Sequence, residues 1–289
     1  MVDLVVAGLV AFDDISTPAG SVSRVVGGAG CYTTVAASMF CKTGLVGIAG
    51  SDFSEGNKQL LRSKGVDLAG LQTVGDKTFY WKGKYEGDWN NAITLDTQLN
   101  ALTKFKPDVP ESYREAKHVF LTNLDPELQL AFMAKAKGIV AMDTMNYWID
   151  SKPKALREAI AKADILFVND AEARQITGEK ELKHAAEQLA AMGPSQVVIK
   201  LGANGAMLYN SDGHKTYKAY KLEQVVDPTG CGDSFAGAVM GCLAAGKTMR
   251  EAMLYGTAVA SFNAEGFGLE RLKAITHSDI DARVAKLRA

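Results

Sequence analysis

Between Leu4 and Lys200 the chain alternates short runs of β-branched and other apolar residues with longer stretches of helical periodicity, and no other property of the sequence restricts its fold as much. The rhythm opens with a strand over Leu4 to Val10, a helix over Gly30 to Cys41, a strand over Leu45 to Ala49 and a helix over Ser54 to Lys64. It resumes with strands at His118 to Thr122, Ile139 to Met142, Ile165 to Val168 and Gln196 to Lys200, separated by helices over Pro126 to Lys137, Lys152 to Ala163 and onward to Met192. Strands joined through helices lie parallel in one sheet, and the helices cover both of its faces. The expected class is α/β, a three-layer α/β/α sandwich whose ligands gather beyond the carboxyl ends of the strands.

Two segments, about 11–26 and 73–100, break the rhythm. The second carries the alternating piece Thr78-Phe79-Tyr80-Trp81-Lys82 and a polar turn around Asp88 to Asn91. Long loops without structure are uncommon in compact domains, so both segments are expected to form extra strands outside the main sheet. A chain of 289 residues, 47% hydrophobic and 22% charged, is read as one domain over 1–289 with a small appendage. Its formal charge of −1, with Lys and Arg scattered, offers no basic surface for nucleic acid or an anionic membrane. The apolar stretch Ser234 to Gly246 is too short to span a bilayer, and Asp3 ahead of Leu4 to Phe12 does not make a secretory leader. A cytoplasmic protein acting on a small molecule is expected. Its cysteines and histidines show no metal-ligand spacing.

The chemistry concentrates in Asp227 to Phe235, DPTGCGDSF. Small residues opening a helix present main-chain N–H groups to an anion, and the helix dipole adds positive potential there. Asp233 beside such a cradle is placed to take a proton from a hydroxyl as it attacks a bound phosphate. The plainer alternative is a tight turn with an aspartate cap. Asn169 and Glu172, one helical turn apart at a strand end, either share a ligand or simply start a helix. Lys200-Leu201-Gly202-Ala203-Asn204-Gly205 ends a β-prone run either as a close approach to a nucleotide or as a hairpin turn. Asp13 or its neighbour Asp14 can accept from two hydroxyls or sit in a solvated turn. Cys231 at a helix start is expected to favour its thiolate and to react with thiol reagents.

Taken in order, these pieces resemble the signatures of the ribokinase (PfkB) family of sugar and nucleoside kinases. DPTGCGDSF resembles the family's carboxyl-terminal signature, with Pro228 and Cys231 as departures, and Gly27-Gly28-Ala29-Gly30 resembles its first glycine signature. The resemblance implies a ribokinase-like fold with a small β-sheet lid, built by the segments near 11–26 and 73–100, that closes over the acceptor. It implies transfer of the γ-phosphoryl group of ATP to a hydroxyl of a sugar or nucleoside. Asp233 would be the base, and the amides of Gly230, Cys231 and Gly232 would stabilise the transferring group. Asn169, Glu172, Lys200, Gly202, Gly205 and Thr229 would line the nucleotide site, with Glu172 organising magnesium through water. Asp13, Gly27, Gly28 and Tyr32 would meet the acceptor. Asp227 would begin a monovalent-cation site, which adds potassium to ATP and magnesium. Relatives often pair through their lids, so a homodimer is a further expectation. Tyr32 stands where many members have Asn, so the specificity of ribokinase itself does not transfer, and an aromatic or nucleoside acceptor gains.

Two motifs are decoys. Gly241 to Thr248, GCLAAGKT, spells a Walker A loop, but it lies inside a helical run rather than after a strand; Gly246 ends that helix, and Thr248 with Glu251 starts the next. Gly232-Asp233-Ser234-Phe235 spells an esterase block without a histidine to answer as base. The rival functions are a metabolite sensor on the same fold and an oxidoreductase, the latter lacking the third dinucleotide glycine, where Thr33 stands.

Overall fold

Every residue of β1 (Leu4–Ala7) is buried, the mark of a strand covered on both faces. In the computed structural model, which describes residues 1–87, 89 and 92–288, β1 sits inside a nine-stranded sheet. The chain continues through β2 (Ala11–Thr17), β3 (Gly20–Gly27), β4 (Thr43–Gly50), β5 (Val66–Val74), β6 (Phe79–Lys84), β7 (Ile93–Gln98), β8 (His118–Leu121), β9 (Ile139–Met142), β10 (Ile165–Asn169), β11 (Gln196–Lys200), β12 (Ala206–Asn210) and β13 (Gly213–Tyr217). The helices are α1 (Ala29–Ala37), α2 (Glu55–Ser63), α3 (Pro126–Met133), α4 (Asn146–Ser151), α5 (Pro153–Lys162), α6 (Asp170–Thr177), α7 (Leu182–Ala191), α8 (Cys231–Ala244), α9 (Met249–Asn263), α10 (Glu270–Ala274) and α11 (His277–Arg288). No helix among the described residues is long and apolar enough to cross a membrane.

The large sheet has the order β13-β12-β11-β10-β9-β8-β1-β4-β5, parallel throughout except for the antiparallel β11–β12 and β12–β13 pairs at one edge. Strand alternation sorts its side chains into two cores. Val5, Ala7, Leu166 and Val168 pack on one face with Leu156, Ile160 and Leu189 of α5 and α7. Leu4, Val6, Ile165 and Phe167 pack on the other with Phe235, Val239 and Met253 of α8 and α9. This is the layered α/β architecture that the alternation implies. The Walker-like stretch is accounted for as expected: α8 runs into it, and Thr248 caps α9 in a reciprocal capping box with Glu251.

A separate four-stranded sheet, order β3-β2-β6-β7, is built from the two segments that break the rhythm. The polar turn expected around Asp88 to Asn91 lies outside the described residues, Trp89 excepted. β2 pairs parallel with β6 and antiparallel with β3, whose register slips between Asp13 and Ile15. Asp52 ties this sheet to the main body: its Oδ1 accepts from the Thr78 amide at 2.7 Å and hydroxyl at 2.6 Å, and its Oδ2 meets Arg24 at 3.2 Å. Thr78 is buried. Asp52→Ala leaves its donors without an acceptor, so a loss of about 1–3 kcal/mol is expected in denaturant unfolding at neutral pH. Burial pushes the Asp52 carboxyl up, but the two Thr78 bonds and Arg24 together outweigh it and hold the group below its usual range. Its contribution is therefore lost as pH falls, and the variant and the unaltered chain should converge in acid.

Candidate active site

α8 begins at Gly230, whose φ of 73° is left-handed, and no side chain caps the helix. The ring of Tyr32, itself buried in α1, lies flat where a β-carbon on Gly230 would go, so only glycine fits this N-cap. The amide of Cys231 turns back to the carbonyl of Pro228 at 3.1 Å. Among the described residues the amides of Gly230, Gly232 and Asp233 meet no acceptor. The donor set differs by one member from the sequence expectation: Cys231 drops out and Asp233 enters. A row of free amides at the start of a 14-residue helix attracts an anion.

Charged side chains converge on the same point from the carboxyl ends of β9, β10 and β11. Asp143, directly after β9, is buried and accepts from Lys200 Nζ at 2.6 Å. A β-carbon on Gly232 would stand 3.5 Å from that same Nζ, so the ammonium lies beside the free amides. Burial pulls the Lys200 ammonium down, but Asp143 and Glu172 outweigh it and hold the group above its usual value. Asp233, in the first turn of α8, is pushed up to about 6 by burial and by Asp143 against the pull of Lys200. Glu172 is pushed up to about 7 by burial, again opposed by Lys200. One cation thus serves several carboxyls. Asp143 was missed as a site residue in the sequence, although a polar residue directly after a parallel strand is a recognisable signal.

The glycine-rich start of α1 serves Asp13. A β-carbon on Gly27 would fall on the Asp13 carboxylate, and Gly28 N–H donates to Asp13 Oδ2 at 3.4 Å. Burial pushes Asp13 up to about 7, opposed by that amide and reinforced by Asp227 and Asp233. The structure separates Asp13 from Asp14, whose Oδ1 accepts from the Arg24 amide at 2.8 Å and so supports the β2–β3 bulge. Tyr32 is 1% exposed, its ring against Gly230 and its hydroxyl without a partner. It has no free aromatic face to offer, contrary to the stacking role its position suggested.

Other expected residues carry structural bonds. Asn169 and Glu172 form a capping box at the start of α6: Asn169 Oδ1 accepts from the Glu172 amide at 2.8 Å, and Glu172 Oε2 from the Asn169 amide at 2.7 Å. Lys200 to Gly205 joins the antiparallel strands β11 and β12, with Gly202 at φ 55° and Gly205 at φ 96°. Asp227 is fully buried and accepts from the Thr229 amide at 2.9 Å and the Gly268 amide at 3.1 Å. The expected thiolate at Cys231 does not form: burial pushes the thiol up to about 12, and it donates to the carbonyl of Ala260 at 3.6 Å. The helix dipole is outweighed by loss of solvent.

A sequence profile described as the pfkB family of carbohydrate kinases matches residues 1–273. The chain is 33% identical over 264 residues to a cytidine kinase of Thermococcus kodakarensis, covering 89% of this chain and 94% of that one. Among solved structures it is similar to Burkholderia thailandensis nucleoside kinase in complex with inosine, with a TM-score of 0.84, 20% identity and 98% of each chain covered. It is likewise similar to a putative ribokinase II from Escherichia coli in complex with ATP and magnesium, with a TM-score of 0.84, 17% identity, and 99% of this chain and 100% of that one covered.

With Asp13 held at about 7 and Asp233 at about 6, the folded chain binds more protons than the unfolded chain between about pH 4 and about pH 7. The stability due to these groups is therefore full in acid and is lost as pH rises through 6 and 7. Asp13→Asn is expected to flatten that fall, giving a higher Tm than the unaltered, ligand-free chain at pH 8 but not at pH 4 in scanning calorimetry. Parallel curves would show that Asp13 is solvated.

Proposed function

The chain belongs to the pfkB family of carbohydrate kinases, and from that membership we propose a specific reaction: transfer of the γ-phosphoryl group of ATP to a hydroxyl of a nucleoside, with cytidine the first acceptor to try. One observation carries the chemical part: the free amides at the start of α8 lie beside both Asp233 and Lys200. The nucleoside, as against a free sugar, is supported by the cytidine kinase to which a third of the matched residues are identical.

Uncapped donors and a half-buried ammonium fit the phosphates of a nucleotide. When bound, magnesium would neutralise those phosphates. Glu172, buried beside Lys200, would hold that ion through water. Asp233 accepts the proton of the attacking hydroxyl; its pKa near 6 keeps it ionised at neutral pH yet basic enough to take a proton. Gly230, Gly232 and Asp233 donate their amides where negative charge grows, and Lys200 adds its charge from the side. Asp13, buried and facing the same region, orients the acceptor through its hydroxyls.

The reading keeps potassium beside Asp227, a buried carboxylate whose two oxygens each accept one main-chain amide and retain lone pairs for a cation. A homodimer through the small sheets also belongs to the reading, because β7 is exposed along its whole length and shows Ile93 and Leu95 to solvent.

Incubation with ATP, magnesium and a panel of nucleosides and sugars should give ADP and a phosphorylated product with a nucleoside. ADP release with sugars alone would overturn the acceptor, and none with any acceptor would favour a sensor. Asp233→Asn should bind ATP normally in calorimetry while turnover falls by about 10² to 10⁴. Exchange of potassium chloride for choline chloride should lower turnover. Light scattering should give twice the chain mass, reduced to one by Leu95→Lys.

A further inference from the structure

The small sheet touches the anion cradle through two side chains that none of the sequence motifs includes. β2 and β6 run parallel, and their pairing continues one step further as the Tyr85 amide donates to the Ser16 carbonyl at 2.9 Å. That step brings Thr17 and Tyr85 together at the end of the sheet. Thr17 Oγ1 donates to the Val226 carbonyl at 2.8 Å, and Thr229 Oγ1 donates to the Tyr85 hydroxyl at 3.2 Å. Tyr85 is 8% exposed, so these contacts are sheltered from water. On its other side the same loop is fastened to the end of α9: the Val226 amide donates to the Ala264 carbonyl at 2.8 Å, and Asn263 Nδ2 donates to the Thr229 carbonyl. Thr229 immediately precedes Gly230, the cap residue whose neighbours supply the free amides.

We infer that Tyr85 is a positioning residue, which fixes Thr229 and through it aims the amides of Gly230, Gly232 and Asp233. Its effect on turnover rests on the kinase reading; the strap itself does not. The small sheet then does more than cover the acceptor. Its seating and the alignment of the phosphate donors become one event, because the strands that meet the acceptor through Asp13 also end in the side chains that hold the loop. A hydroxyl on a rigid ring suits this task, since its direction is set by the ring's packing rather than by a flexible stem.

The full chain carrying Tyr85→Phe tests it in two arms. In hydrogen exchange of the ligand-free protein, amides in residues 226–231 should exchange about threefold to tenfold faster, as expected for loss of one net hydrogen bond, while α5 and α7 keep their rates. Unchanged exchange in 226–231 overturns the strap whether or not the chain is a kinase. With ATP, magnesium and cytidine, Tyr85→Phe should lower kcat about threefold to tenfold with the KM for ATP held within about twofold. Tyr85→Phe combined with Thr229→Val should be no slower than the slower single variant, because both cut the same bond. Effects that multiply, or faster exchange with unchanged kcat, would overturn the positioning role. An unaltered chain that releases no ADP with any acceptor counts against the kinase reading alone and leaves the exchange arm to decide the strap.

Discussion

The start of α8 sets the terms for everything around it. A helix opening on a left-handed glycine, uncapped by any side chain, keeps donors that the protein leaves unsatisfied, and a fold tolerates that only where something from outside supplies acceptors. Around those donors the chain has gathered Asp143, Glu172 and Asp233 with Lys200 as their half-buried cation, and Asp13 and Asp227 beside them. Burial drives most of these carboxyls toward neutrality, and the ammonium limits how far Asp233 and Glu172 go. A polyanion arriving here would redistribute that balance, drawing on Lys200 and the amides together.

The fold was largely legible because two periodicities leave distinct marks. Parallel strands buried on both faces read as continuous apolar runs, as in Leu4-Val5-Val6-Ala7, and the amphipathic helices between them have their own spacing. What escaped were the edges. β5 carries Asp67, Gln72 and Thr73 among its apolar residues, and β13 is half-exposed and rich in polar residues, so neither shows a buried-strand pattern. Strand and helix ends also shifted: the run Leu4 to Val10 is broken after Ala7 by the turn that leads into β2, and α1 stops at Ala37 rather than Cys41. Such ends are decided by tertiary contacts that local sequence does not carry.

The site was legible by residue type and less so by bonding. DPTGCGDSF announces the cradle, yet only the fold spends the Cys231 amide on Pro228 and buries its thiol too deeply to ionise. Asn169 and Glu172 read as ligands or, taken by themselves, more readily as a helix start, and their bonds to one another are those of a helix start. Asp143 and Tyr85 lie outside every motif, because one belongs to a strand end and the other to the small sheet, and they reach the cradle only through long-range packing.

The fit between Gly27 and Asp13 has a consequence for how such a chain can change over time. Because any side chain at Gly27 would occupy the volume of the Asp13 carboxylate, the glycine is held in place by a residue 14 positions earlier and not by its own backbone needs. Drift at that glycine is closed while the acid remains, and opens once the acid is lost. The pair is inherited as a unit, and a descendant with a bulky residue at the second position would record that the first had already been given up.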